Sequence, residues 1–251
     1  MELGIEGRVA LVLGASAGIG RGIAEALAGE GAKVALAARS ADRLERAAAG
    51  IEGETMTFVA DTTDLERMAE LPENVASALG PVEILVLNTG GPPRGTALEH
   101  PPAAWEEAYR SLVLAPRVLA EAALPGMRER GWGRIVNVAS SSIREPIPGL
   151  ALSNSNRMAA LGFLNTLARE VAAEGITVNT IATGRFATDR LAEVYGGSLE
   201  EAGRVAAEEV PAGRLGTPAE FGDLVAFVCS ERAAYLTGAV IPLDGGLTRS
   251  S

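Results

Sequence analysis

Short runs of apolar residues, many of them β-branched, alternate along this chain with longer stretches whose apolar positions recur at the spacing of one helix face. The short runs predict strands over residues 8–13, 33–37, 54–60, 82–88, 134–138, 177–182 and 240–243. The longer stretches predict helices over residues 19–29, 42–50, 65–79, 103–130, 157–173 and 219–230, with a further pair within 188–212. Strands and helices therefore follow one another from end to end.

This alternation predicts an α/β fold: a doubly wound parallel sheet of about seven strands, with right-handed crossovers and helices on both faces. No linker, repeat or block of charge divides the 251 residues, so we expect one domain spanning 1–251. The connection over 184–216 is longer and more polar than the others, and it contains Gly196 and Gly197. Since it follows a strand end, where ligands bind in such sheets, we interpret it as a substrate lid; an ordinary surface excursion is the alternative.

The first predicted strand ends in a glycine-rich turn that leads into a helix. Gly14 suits a tight turn, Gly18 lets the backbone approach a ligand, and Gly20 lets the helix lie close to the strand. Ser16 and Ile19 belong to the same turn. Free N–H groups at the start of a helix attract an anion, so the segment predicts a site for the diphosphate of a dinucleotide rather than a plain strand-to-helix turn.

Polar residues near the ends of later strands extend this predicted dinucleotide site. The second strand is followed by Arg39, where an acidic residue would instead bind both ribose hydroxyls. A guanidinium suits a 2′-phosphate, so we expect NADP(H) to be favoured over NAD(H); a solvated loop arginine is the alternative. The other candidate cofactor-binding residues follow the third, fourth and sixth strands: Asp61, Thr62, Asn88, Gly90, Gly184 and Thr188.

Composition narrows the class of protein. A net charge of −10 with scattered basic residues argues against a nucleic-acid partner, and no apolar stretch reaches the roughly 18 residues of a membrane span. The N-terminus lacks the pattern of a signal peptide, and a single cysteine, Cys229, permits no internal disulfide, so we expect a cytoplasmic protein. No set of metal ligands is visible in the sequence. We therefore expect a small-molecule substrate and no metal.

Several ordered motifs resemble those of the short-chain dehydrogenase/reductase family over essentially the whole chain. They are Gly14-x-x-x-Gly18-Ile19-Gly20, Asp61, Asn88-Thr89-Gly90 and the segments 134–140, 178–184 and 236–246. The resemblance implies a single-domain Rossmann-like fold, an NADP(H)-dependent oxidoreductase acting on a carbonyl or a secondary alcohol, and a homo-oligomer, either a dimer or a tetramer. Within the family the chain most resembles the 3-oxoacyl-acyl-carrier-protein reductases.

The chain departs from the family at its catalytic residues. The family uses a serine, a tyrosine, a lysine four residues after the tyrosine, and an asparagine on the preceding long helix. Ser140 matches the serine, but Ser153, Arg157 and Leu112 stand at the other three positions. A serine is shorter than a tyrosine and a weaker acid, and an arginine does not readily lose a proton. We therefore expect cofactor binding to be kept and the ordinary proton route to be absent or rebuilt.

Two main hypotheses for function follow. In the first, Ser140 polarises the substrate oxygen, Arg157 orients the cofactor ribose, and Ser153, a bound water or a substrate group carries the proton. In the second, the chain binds a dinucleotide without turnover, as a sensor, a scaffold or an inactive homologue. An epimerase or dehydratase that keeps the cofactor is also open, although no residue selects it.

Other side chains are weaker candidates for the acid. We expect His100 in a surface loop, Tyr109 in packing, and Tyr235 in packing or in a contact with a neighbouring subunit. Tyr195 belongs to the lid segment, from which it would have to swing in. The charged pair at 144–145 would either touch substrate at the mouth of the cleft or form a solvated pair.

Overall fold

The structure, a computed structural model, describes residues 1–249 of this chain. Seven strands form one parallel sheet in the order β3-β2-β1-β4-β5-β6-β7. Their bounds are β1 Val9–Leu13, β2 Lys33–Ala38, β3 Thr55–Val59, β4 Ile84–Leu87, β5 Gly133–Val138, β6 Ile176–Thr183 and β7 Val240–Leu243. The predicted α/β fold with about seven parallel strands is confirmed.

Nine α-helices in the described part of the chain fill the connections between strands. Their bounds are α1 Gly18–Gly29, α2 Ala41–Ala49, α3 Leu65–Leu79, α4 Pro102–Tyr109, α5 Ala115–Arg130, α6 Ala151–Val171, α7 Asp189–Val194, α8 Leu199–Glu209 and α9 Pro218–Val228. The long helix predicted over 103–130 is α4 and α5, joined without a break by a π-helical turn at Arg110–Leu114. Such turns are rare inside α-helices and often occur at functional sites.

The core has two layers because successive residues of a strand point to opposite faces of the sheet. In β1, Ala10 and Val12 pack with α1, α2 and α9 on one face, whereas Leu11 and Leu13 pack with α3, α5 and α6 on the other. All five residues of β1 are buried. A strand that is covered on both sides reads as a continuous apolar run, which is the pattern that predicted a parallel sheet.

The structure corrects one helix boundary that matters for chemistry. Helix α6 begins at Ala151, whereas the sequence predicted a helix from residue 157. Serine and asparagine form helices poorly, and no side chain caps the start of α6. Tertiary packing outweighs this preference, since Leu152 is fully buried and the Asn156 amide donates to the Leu152 carbonyl. Ser153 therefore belongs to α6, one turn before Arg157.

The carboxyl ends of all seven strands lie along one edge of the sheet. The strands β1 and β4 are neighbours there although they are not consecutive in the chain, and a crevice forms where the strand order reverses in this way. The segment 184–216 leaves the same edge after β6 and holds α7 and α8, the predicted pair of helices. Within residues 1–249, no helix combines the length and the apolar character that a membrane crossing would require.

Candidate active site

The glycine turn after β1 has the geometry of an anion site. Gly14 and Gly18 adopt φ angles of +62° and +54°, which side chains other than glycine rarely tolerate. A Cβ on Gly20 would lie 2.2 Å from the carbonyl oxygen of Gly14, so only glycine lets α1 start this close to the turn. The first turn of α1 has no acidic residue, and no side chain caps it. Its N–H groups are thus available, and the turn fits the diphosphate of a dinucleotide.

Asn88 lies beside this turn, but one amide N–H of its side chain has a structural partner. The Asn88 Nδ2 atom donates to the carbonyl of Leu13 at 3.2 Å and ties the end of β4 to the end of β1. The predicted cofactor contact of Asn88 would therefore use its second amide N–H or its amide oxygen. Gly90 has open space beside it, because a Cβ there would meet nothing within 4 Å.

The adenosine end of the predicted site is open. Arg39 is exposed just after β2 and forms no ion pair within residues 1–249. Arg43, which the sequence did not single out, lies in the first turn of α2, and its nearest carboxylate is Asp189 at 3.8 Å. Two guanidinium groups are therefore available near the end of β2.

The predicted cofactor residues Asp61 and Thr62 lie in the turn after β3. One carboxylate oxygen of Asp61 accepts hydrogen bonds from both the backbone N–H and the hydroxyl of Thr63, each at 2.9 Å. Asp61 therefore shapes the turn after β3, and its partner is Thr63 rather than Thr62.

The start of the segment 184–216 meets the glycine turn. A Cβ on Gly18 would lie 3.1 Å from the methyl carbon of Thr188, so these two predicted cofactor residues are brought together. The Thr188 hydroxyl accepts from the N–H of Leu191 and caps α7. Gly184 gives room to Asp244, whose Cα would lie 2.4 Å from a Cβ at that position, and its contact with the cofactor stays a prediction.

The three predicted catalytic residues lie at the carboxyl end of β5 and on α6. Arg157 Nε donates to the hydroxyl oxygen of Ser153 at 3.2 Å, and its Nη1 donates to the carbonyl of Val138, in β5, at 2.9 Å. A longer contact of 3.4 Å joins its Nη2 to the carbonyl of Gly90. Ser140 follows β5, and its hydroxyl accepts from the backbone N–H of Ser142 at 3.1 Å.

The charge of Arg157 has no carboxylate partner within 4 Å among residues 1–249. Its hydrogen-bond acceptors are one hydroxyl and two backbone carbonyls, all neutral. Burial lowers the pKa of the Arg157 guanidinium to about 10, because an enclosed site disfavours the charged form. A positive charge held in this way is well suited to stabilise negative charge that a ligand brings or that develops during a reaction.

Leu112, at the position of the family's asparagine, is buried in the π-helical turn between α4 and α5. Its side chain offers no hydrogen bond, as the sequence indicated. The sequence pattern, which predicted one continuous helix, did not indicate this π-helical turn.

Other candidate residues turn away from the cleft or form different contacts. Arg144 donates to the carbonyl of Val240, and a carboxylate oxygen of Glu145 accepts from the N–H of Arg249; the two alternatives for this pair stay open. His100 is less exposed than expected: its ring packs on Gly95, with Nε2 enclosed.

Two arginines that the sequence did not single out bridge the mouth of the cleft. Arg94 donates to the carbonyl of Val194 at 3.3 Å, and Arg190 donates to the carbonyl of Pro92 at 3.2 Å. These bonds join the loop after β4 to helix α7. The sequence indicated these arginines only by their position, since each follows a strand whose carboxyl end borders the site.

Several known proteins of similar sequence and structure are named as reductases. Residues 14–248 match the family model described as enoyl-(acyl carrier protein) reductase. A 3-oxoacyl-(acyl-carrier-protein) reductase of Vibrio cholerae is 35% identical over 98% of this chain and 99% of its own length. The reductase of the same name from Aquifex aeolicus is 31% identical, over 98% of this chain and 100% of its own.

Solved structures extend this similarity to the whole fold. The L-sorbose reductase of Gluconobacter frateurii, in complex with NADPH and L-sorbose, matches this chain with a TM-score of 0.93 and 34% identity, covering 100% of both chains. This chain therefore shares with these proteins the glycine turn, the parallel sheet and the serine after β5. It differs from the family pattern at the other catalytic positions.

Proposed function

Because this chain belongs to the short-chain dehydrogenase/reductase family, we propose that it is an NADP(H)-dependent oxidoreductase that interconverts a carbonyl group and a secondary alcohol. The glycine turn, which has room for a diphosphate, supports the cofactor part of this proposal. Bound NADPH would supply the hydride. The residues of this chain would bind the cofactor, orient the substrate and stabilise charge on its oxygen.

The contact between Arg157 and Ser153 is the observation that carries the proposal. Since the guanidinium donates to the Ser153 oxygen, the Ser153 hydroxyl keeps its own proton for a hydrogen bond to substrate. Ser140 would donate a second hydrogen bond to the same substrate oxygen. The uncompensated charge of Arg157 would stabilise that oxygen as it becomes negative.

The cofactor would lie along the carboxyl edge of the sheet. We assign the diphosphate to the turn of Gly14, Gly18 and Gly20, and the nicotinamide ribose to the open space at Gly90, within reach of Arg157. The adenosine would lie near the turn after β3, with its 2′-phosphate at Arg39. Within this scheme, 184–216 is the substrate lid.

Replacing Arg39 by alanine tests the preference for NADP(H). We expect Arg39→Ala to weaken NADPH binding by about 10- to 100-fold, because a charge-assisted hydrogen bond contributes roughly 1.5–3 kcal/mol. NADH binding should stay nearly unchanged, since NADH lacks the 2′-phosphate. Fluorescence titration of both nucleotides measures this. Arg46→Ala, which removes the same charge from the exposed last turn of α2, is the matched control. An equal loss for NADPH and NADH would contradict the assignment.

Oxidation of NADPH in the presence of carbonyl compounds tests the function itself. A 3-oxoacyl thioester and a ketose are the first substrates to try, because the similar proteins are named for them. We expect turnover with at least one carbonyl compound, and Ser140→Ala should lower kcat by about 100-fold through loss of a hydrogen bond to the developing oxyanion. Tight NADPH binding without turnover of any carbonyl or alcohol would instead favour the second hypothesis, a binding module.

We also propose a homo-oligomer, a dimer or a tetramer, in a reducing cytoplasm. Large apolar side chains that are exposed in the single chain support the assembly, among them Tyr109, Met158, Phe227 and Tyr235. The single buried thiol of Cys229 is consistent with a reducing compartment.

A further inference from the structure

We propose that Tyr195 supplies the proton to the substrate oxygen during carbonyl reduction, and that Arg185 holds its hydroxyl for this task. The inference rests on the proposed function, and it names a donor for the step in which the family's tyrosine is missing. Ser153 can orient the oxygen, but an alcohol is a poor proton donor near neutral pH. The acid must therefore come from another side chain or from water.

Apart from its carboxyl groups, its arginines and its single lysine, the chain offers few side chains that can give up a proton: three tyrosines, one histidine and one cysteine. Four of the five are badly placed. Cys229 is fully buried, and burial raises the pKa of its thiol to about 12. Tyr235 is fully exposed ahead of β7, and Tyr109 is half exposed on α4. The Nε2 atom of His100 is enclosed by protein where its ring packs on Gly95. Tyr195 remains.

The hydroxyl of Tyr195 is held by a fixed cation. Arg185 donates through Nη1 to the Tyr195 oxygen and through Nη2 to a carboxylate oxygen of Glu209, and its guanidinium carbon lies 5.5 Å from the centre of the Tyr195 ring. A guanidinium has only donors, so the Tyr195 oxygen is the acceptor in this bond. The phenol proton is consequently left for a second partner. Glu209 orients the guanidinium, as the third member of a catalytic group commonly does.

Tyr195 also lies where the two walls of the cleft meet. Val194, its neighbour in the chain, accepts a hydrogen bond from Arg94. Gly95, next to Arg94, exchanges backbone hydrogen bonds with residues 149 and 151 at the start of α6. Ser153 follows two residues later on the same helix. Arg185 follows Gly184 directly at the carboxyl end of β6. The phenol is thus carried by the segment 184–216, which leaves the carboxyl edge of the sheet and which Arg94 ties to the loop that contacts the start of α6.

The proton balance is simple. Hydride from the nicotinamide of NADPH forms a C–H bond at the carbonyl carbon, and the π pair of the C=O bond moves to oxygen. That oxygen takes the proton of Tyr195, so its O–H bond breaks and the electron pair stays on the phenolic oxygen. The phenolate remains against the Arg185 guanidinium until water returns a proton. NADPH is oxidised and the carbonyl is reduced, with no further reactant.

Three variants test this step: Tyr195→Phe, Tyr195→His and, as the matched control, Tyr235→Phe. We expect Tyr195→Phe to lower kcat by about 100-fold, the usual contribution of a general acid, with KM and NADPH affinity within about twofold of the parent. Tyr195→His, which keeps a donor, should recover part of the loss, whereas Tyr235→Phe should match the parent.

The outcomes separate this inference from the proposed function. If the parent protein turns over a carbonyl with NADPH and Tyr195→Phe does so equally well, the inference is wrong and the function stands. If Tyr195→Phe and Tyr195→His lose activity to the same extent together with a lower Tm, Tyr195 only holds the lid, and the inference is again wrong. A parent protein that binds NADPH without any turnover removes the proposed function, and this step with it.

Discussion

Gly20→Ala is expected to abolish measurable NADPH binding and to lower Tm. The added methyl carbon would lie 2.2 Å from the Gly14 carbonyl oxygen and 2.6 Å from the Asn88 amide nitrogen, far inside van der Waals contact. Neither atom can retreat easily: Gly14 belongs to the backbone of the turn, and Asn88 is bonded to Leu13. Overpacking of this kind costs about 1–3 kcal/mol, and it also moves the N–H groups that would hold the diphosphate.

Gly29→Ala is the matched control for that result, because Gly29 ends the same helix and a Cβ there would meet nothing within 4 Å. It should leave NADPH affinity unchanged and, by restricting the unfolded chain, raise stability by up to about 1 kcal/mol. Fluorescence titration and thermal unfolding, with and without NADPH, measure both effects. Gly20→Ala binding NADPH like the parent would show that the cofactor lies elsewhere.

Arg157→Met is expected to destroy activity while making the free protein more stable. The substitution removes a charge that lacks a carboxylate partner in the described chain and replaces it with an apolar side chain of similar length. Arg157 is half-buried, and removing the cost of partly enclosing its charge should stabilise the fold by about 1 kcal/mol, roughly 2–4 °C in Tm for a chain of this size. Loss of electrostatic stabilisation of the oxyanion should lower kcat by about 100- to 1000-fold.

The conservative variant Arg157→Lys separates charge from hydrogen bonding. It keeps the positive charge but not the fork that reaches Ser153, Val138 and Gly90 together, so we expect intermediate activity. Thermal unfolding without ligand and steady-state kinetics are the two measurements. An Arg157→Met protein with the parent's kcat would mean that this charge has no part in the reaction. A lower Tm would mean that Arg157 stabilises the fold.

The bounds of particular helices and strands show how much of the fold the sequence predicts. The predicted bounds of α3 and β7 agree with the structure to the residue, and the other strands and most helices agree within about two residues. A short apolar run marks a strand and a period of 3.6 residues marks a helix that is buried on one face, and both signals are local. The start of α6 was wrong by six residues. Serine and asparagine favour other conformations locally, and only the packing of Leu152 against the rest of the fold makes 151–156 helical.

In the candidate site, too, some residues could be identified from the sequence and others could not. Gly14, Gly18 and Gly20 could be identified from spacing alone, since each answers a steric demand of the turn that contains it. The role of Asn88 could not, because its partner at Leu13 is 75 residues away in the chain. The hydrogen bond between Arg185 and Tyr195 could not be predicted either, since it depends on how the chain after β6 folds back to bring residue 195 to residue 185.

The sequence by itself determined the layered sheet and the glycine turn after β1 that is predicted to bind an anion. It also showed that Ser153, Arg157 and Leu112 stand in place of three of the family's catalytic residues. These are local properties: period, backbone freedom and residue type. Only the tertiary structure decided which atoms accept hydrogen bonds from the Arg157 guanidinium, because the carbonyls of Val138 and Gly90 are 19 and 67 residues away along the chain. It likewise decided that no carboxylate in the described residues approaches that charge, since charge compensation depends on distance in space.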